Sequence, residues 1–170
     1  GEALSAEELP SVMWIDPNFA TDNRRKLPHL FKAGGFLTVS EPFAEVLRGF
    51  DLGRTRLYPV ELLHSDRKER FPGSHYLLNI TEVHRYFSPE HSARFEPLPN
   101  SKTSYLAAPM MPAQSGDISV SPAAMNAPDL WIDDTIVAHF FCSNGLADAL
   151  RAAKLTSRLP LYCCPILTAN

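Results

Sequence analysis

Two stretches of this chain repeat one another, and the repeat constrains the fold more than any other feature of the sequence. The first runs Phe36-Leu37-Thr38-Val39-Ser40-Glu41-Pro42-Phe43-Ala44-Glu45-Val46-Leu47-Arg48. The second runs Phe140-Phe141-Cys142-Ser143-Asn144-Gly145-Leu146-Ala147-Asp148-Ala149-Leu150-Arg151. An offset of 103 sets Ser40 on Ser143, Phe43 on Leu146, Ala44 on Ala147, Leu47 on Leu150 and Arg48 on Arg151. Beyond the helix a shift of one more residue sets Leu57-Tyr58 on Leu161-Tyr162. Trp14-Ile15-Asp16 precedes the first copy and Trp131-Ile132-Asp133 the second.

Each copy describes the same physical unit. A short apolar run before the Ser predicts a buried strand. The Ser is placed to cap a helix with its hydroxyl, and Pro42 at the second helical position costs little because first-turn amides lack intrahelical partners. Apolar residues then recur at the three-and-four spacing of one helix face. The segments Leu57 to Leu63 and Leu159 to Leu167 predict a closing strand in each copy. The expected fold is α+β: one domain over residues 1–170, with two related strand–helix–strand units at about 14–63 and 131–167 sharing one core. The pattern fits one continuous sheet or two packed lobes.

Between the units, Tyr76 to Ile80 predicts a strand, and six prolines between Pro97 and Pro128 forbid regular structure throughout that connection. Ser115-Gly116-Asp117 reads as a turn into a brief strand near Asp117 to Val120. Residues Pro17 to Gly35, with the Gly34-Gly35 turn, read as an exposed excursion containing a helical turn. Trp14 and Trp131 occupy equivalent places and are expected as core anchors, with Asp16 and Asp133 turning the chain after them.

Composition narrows the function classes. A chain of 170 residues can bury a substantial core in one domain. A formal charge of −3 argues against a nucleic-acid binder with a broad basic face. No apolar run approaches the ~20 residues of a membrane span, so no membrane partner is expected. Three cysteines, Cys142, Cys163 and Cys164, are an odd and sparse set, which favours a reducing, cytoplasmic setting.

Catalytic motifs are missing. The histidines at 29, 64, 75, 84, 91 and 139 form no H-E-x-x-H, and the nearest approach to a zinc set is His139-x-x-Cys142 with Cys163-Cys164. Adjacent cysteines on a strand point to opposite faces and do not readily chelate one ion. No G-x-S-x-G elbow, cysteine-protease signature or Gly-rich phosphate loop occurs. No catalytic, cofactor-binding or metal-ligating residue is therefore assigned. The charged stretch Asp66-Arg67-Lys68-Glu69-Arg70 predicts a solvated hairpin tip, and Asp66, Arg67, Glu69 and Arg70 are the candidates for docking a partner.

The quoted copies, together with Tyr76-Leu77-Leu78-Asn79 and Leu130-Trp131-Ile132-Asp133, resemble the immunity proteins numbered eleven in bacterial polymorphic-toxin systems. The resemblance covers most of the chain. It implies a non-enzymatic protein without a cofactor, whose partner is a cognate protein toxin encoded nearby. The chain departs from the family in Leu159-Pro160-Leu161-Tyr162-Cys163-Cys164, where a Gly is expected after the helix. Two alternatives stand beside it: a hydrolase or transferase whose site uses His139, Cys142 or Cys163, and a structural domain associated with toxin secretion.

Overall fold

The computed structural model describes residues 4, 5, 7–14, 27–98, 104–107, 114–137 and 139–168. The first half builds a five-stranded sheet. Its strands are β1 (Val12–Trp14), β2 (Leu30–Ala33), β3 (Phe36–Ser40), β4 (Arg56–Leu63) and β5 (His75–Asn79), in the order β1-β4-β5-β3-β2. Only β1 runs parallel to its neighbour, β4; the other pairs are antiparallel. Helix α1 (Glu41–Arg48) links β3 to β4. The two strands it links are not adjacent, because β5 lies between them, so the unit is a split β-α-β crossover.

Local chemistry explains these elements. Phe43, Ala44 and Leu47 are buried on one side of α1, and the equivalent Leu146, Ala147 and Leu150 on α2 (Asn144–Ala152). The two helices pack together, and both stripes join Val39, Leu78, Leu130 and Leu155 in one core. Each large side chain so buried contributes about 1.5–3 kcal/mol. Ser143 caps α2 as expected, its Oγ accepting from Leu146 N at 3.2 Å. Ser40 occupies the same place but makes no side-chain cap, because its Oγ instead meets His29 Nδ1 at 2.7 Å. Pro59 is tolerated inside β4 because its nitrogen faces the side where β1 begins only opposite Glu61, whose N–H donates to Ser11 O at 2.8 Å.

The opposite face of the sheet carries a second core of Leu9, Val60, Leu62, Phe71 and Leu77. In the second half, β6 (Val83–His84), β9 (Leu130–Asp133) and β10 (Phe141–Cys142) form a three-stranded sheet in the order β10-β9-β6. β7 (Phe95–Pro97) pairs with β8 (Tyr105–Ala107), and Pro122–Asn126 form a 3-10 turn. A third core of Phe87, Ile118, Val120, Trp131, Ile136 and Phe141 lies between these pieces.

The α+β class stands, and the repeat is present with a different register and an incomplete second copy. Leu30 pairs with Val39 as Leu130 pairs with Cys142, and Phe31 with Thr38 as Trp131 with Phe141. Ser40 N–H donates to His29 O, and Ser143 N–H to Asp129 O, each at 3.0 Å. The structural counterpart of Trp131 is thus Phe31, not Trp14. Met13 pairs in parallel with Leu62, and Val120 in parallel with Ile166.

Several expectations change. Leu159 to Leu167 forms no strand; Ile166 alone makes a bridge, since Pro160 and Pro165 carry no N–H and, among the described residues, no strand flanks the segment on its β10 side. The brief strand at Asp117 to Val120 reduces to bridges at Val120, although Ser115-Gly116-Asp117 does form the expected turn, with Gly116 at φ 95°. The excursion before Ser40 includes β2, which folds back on β3 through Gly34 and Gly35 at φ 54° and 91°, conformations open to glycine. Ile15, Asp16 and residues 17–26 lie outside the described residues.

Candidate functional site

The hairpin tip between β4 and β5 is held by its first acidic residue. Asp66 Oδ1 accepts from Lys68 N at 2.9 Å and Glu69 N at 3.1 Å, which closes a turn and places Arg67 at φ 58°. Those backbone donors, Lys68 first, hold the Asp66 carboxyl below its ordinary value. Asp66 therefore builds the loop through one carboxylate oxygen while its side chain stays exposed. Glu69 is exposed, and its carbonyl accepts from His64 N at 2.8 Å.

Both arginines turn back onto the sheet. The Arg67 guanidinium lies 4.3 Å above the centre of the Trp14 ring, and Arg70 pairs with Glu61. Trp14 sits opposite Leu63 on the edge strand and is 48% exposed, with Val12 exposed beside it. This corrects the expectation of a core anchor. A tryptophan on a three-residue edge strand has a neighbour on one side only, whereas Trp131 on the central strand β9 is buried, stacked on Phe141.

The surface continues across the helix-bearing side of the sheet. Tyr76 lies opposite Pro59, on the face shared by Glu61 and Leu63. Its hydroxyl donates to Glu41, and the Arg48 guanidinium sits 4.8 Å above its ring and 2.6 Å from Glu41. The Tyr76 hydroxyl first, then Arg48, holds the Glu41 carboxyl below its ordinary value. Of the residues on this face the sequence singles out Arg67 and Arg70, whereas Trp14, expected in the core, and Tyr76 and Arg48 emerge only from the fold.

The thiol candidates meet elsewhere. A cavity of about 560 Å³ is lined by His139, Cys142, Cys163 and Cys164, together with Trp131 and Arg151. Burial pushes the Cys142 and Cys164 thiols up to about 11, which leaves them protonated and poorly nucleophilic near neutrality. His139 Nδ1 is 2.8 Å from Val137 O, and its ring stands edge-on to Phe95. Among the described residues no group of three or more His, Cys, Asp or Glu side chains converges as a metal site.

Asp133, expected as a turn residue, is a buried hub. Its Oδ2 accepts from Tyr86 N at 2.7 Å and Phe87 N at 2.8 Å, and its Oδ1 accepts from Thr135 N at 3.0 Å and from the Thr135 hydroxyl. It ties β9 to the chain leaving β6. Among the described residues no helix is long and apolar enough to cross a membrane. Compared with known proteins, the chain matches no family model and no curated protein.

Proposed function

We propose that this chain is a non-enzymatic immunity protein that binds and neutralises a protein toxin, and that the face formed by Trp14, Arg67 and Arg70 is the docking surface. The observation that carries this reading is a half-exposed tryptophan held beneath an arginine on a sheet edge. Tryptophan, tyrosine and arginine are the residues in which binding energy concentrates, and Tyr76 with Arg48 extends the same face. The raised Cys142 and Cys164 thiols weigh against either of those two as a nucleophile, and the resemblance of the repeated unit to toxin-immunity proteins gives the partner its class. The setting consistent with that role is the cytoplasm.

Co-expression tests it. The chain is expected to restore growth of cells producing the toxin encoded beside it, and to bind that toxin with an interface of about 1,200–2,000 Å². Trp14→Ala should weaken binding roughly thirtyfold or more, the loss of about 2 kcal/mol typical of an anchor, while leaving the melting temperature unchanged. Wild-type protein that neither binds nor protects would overturn the function. Full protection by Trp14→Ala would overturn the assigned face.

A further inference from the structure

Set against the first half, the second lacks a counterpart of the central strand among the described residues. In the first, the order from edge to edge is β1, β4, β5, β3, β2. In the second, Val120 stands where Met13 does, Ile166 where Leu62 does, β10 in the place of β3 and β9 in the place of β2. Among the described residues no strand takes the place of β5, and β10 is the end of its sheet.

That place is the cavity. It is lined by Phe140, Phe141 and Cys142 of the β10 segment and by Leu161, Tyr162 and Cys164 of the C-terminal segment. By the repeat these correspond to the β3 and β4 residues between which β5 is clamped, Leu37 and Leu57 flanking Leu78, and Thr38 and Tyr58 flanking Leu77. The cavity volume of about 560 Å³ lies within the range of ligand sites.

Backbone polarity points the same way. Ser143 N–H donates to Asp129 O, so antiparallel alternation turns the peptide groups of Phe141 toward β9 and those of Cys142 the other way, into the cavity. At the head of α1, Glu41 N–H donates at 2.9 Å to the carbonyl of Ser74, the residue entering β5. Its counterpart on α2, Asn144, lines the cavity, and no backbone carbonyl among the described residues takes the part of Ser74.

We propose that this slot receives an extended peptide segment of a partner protein, added as a strand antiparallel to β10. The segment is about the length of the five-residue β5, with large apolar side chains at the positions of Leu77 and Leu78 and a carbonyl that accepts from Asn144. Main-chain bonds to Cys142 and Phe140 supply affinity, and the apolar lining selects the side chains. The site is separate from the Trp14 face and does not depend on the partner there being a toxin.

The test uses the full chain and a synthetic peptide with the sequence of residues 74–80, Ser-His-Tyr-Leu-Leu-Asn-Ile, because its parent strand fits the equivalent slot. The peptide is expected to bind saturably at one per chain and to slow hydrogen exchange at the Cys142 amide roughly tenfold or more, an opening now made rarer by the ligand. A second peptide, N-methylated at the amides corresponding to Tyr76 and Leu78, should bind at least roughly tenfold more weakly, since those amides face β10 in the antiparallel register. Lack of saturable binding, equal binding of the methylated peptide, or slowed exchange at β3 without change at Cys142 would overturn the proposal. A stable dimer that itself protects the Cys142 amide would assign the slot to a second copy and overturn the partner.

Discussion

Replacing Asp133 by Ala should be among the most damaging single changes in the second half of the chain. The residue is 2% exposed, and its carboxylate serves three backbone amides and one hydroxyl. Of the amides, that of Phe87 is buried and those of Tyr86 and Thr135 are partly so. A hydrogen bond to a charged group is worth about 1.5–3 kcal/mol, and an orphaned buried donor costs about 1–3 kcal/mol. Counting Phe87 in full, and the other two at about half because water can reach them, gives a loss of roughly 3–6 kcal/mol. That is a large share of the roughly 5–15 kcal/mol of a typical domain. For a chain of this length it should lower the melting temperature by roughly 6–24 °C. Asp133→Asn keeps one oxygen and should lose about half as much. Urea unfolding followed by tryptophan fluorescence would measure both, since Trp131 is adjacent to the hub. An Asp133→Ala loss below about 1 kcal/mol with an unchanged denaturant slope would refute the assignment of these bonds as the tie between β6 and β9.

Other outcomes follow from the same geometry. With their thiols at about 11 against an ordinary 9.0, Cys142 and Cys164 should carry about a hundredfold less thiolate at pH 8, so iodoacetamide should label exposed Cys163 first, as read by mass spectrometry of timed digests. Gly53→Ala should destabilise by about 1–3 kcal/mol in thermal melts, because φ is 56° and the new methyl would stand 2.6 Å from Glu82 Oε1, displacing the carboxylate that accepts from Arg54 N. Burial lowers the His75 pKa from its ordinary 6.5, so the unfolded chain binds the proton more readily; its contribution to stability is full above pH 6.5 and falls as pH drops toward the folded value, and His75→Gln should flatten that part of the stability profile.

How far the sequence reveals this protein depends on whether a feature is local. The Ser143 cap, the buried stripes of both helices, β4 and β5 are legible because each follows from spacing within a few residues. The exposure of Trp14 is not, because Val-Met-Trp reads alike at an edge and in a core, and only pairing with β4 on one side decides it. The failure of residues 159–167 to form a strand is legible only in part: Pro160 and Pro165 are plain in the sequence, but Leu161-Tyr162 carries the same residues as Leu57-Tyr58, and the β5 that flanks the latter is not. Of the residues in the charged tip, Arg67 and Arg70 turn back onto the sheet and Asp66 closes its own turn, a local motif that Asp followed by exposed polar residues could have signalled.

The strand order also dictates a schedule of assembly. β5 is the last strand of its sheet to be synthesised and the one that ends in the middle, so β3 and β4 have no common partner until residue 79 has left the ribosome. Until then a nascent chain holds two unsatisfied edges and the apolar face of α1 open to mispairing, the condition under which chaperones engage slowly closing sheets. Among the described residues the second unit has no counterpart of β5, and Leu130, Leu146, Leu150 and Leu155 share one core with Val39, Phe43, Leu47 and Leu78, so covering its helix face depends on the first unit being in place.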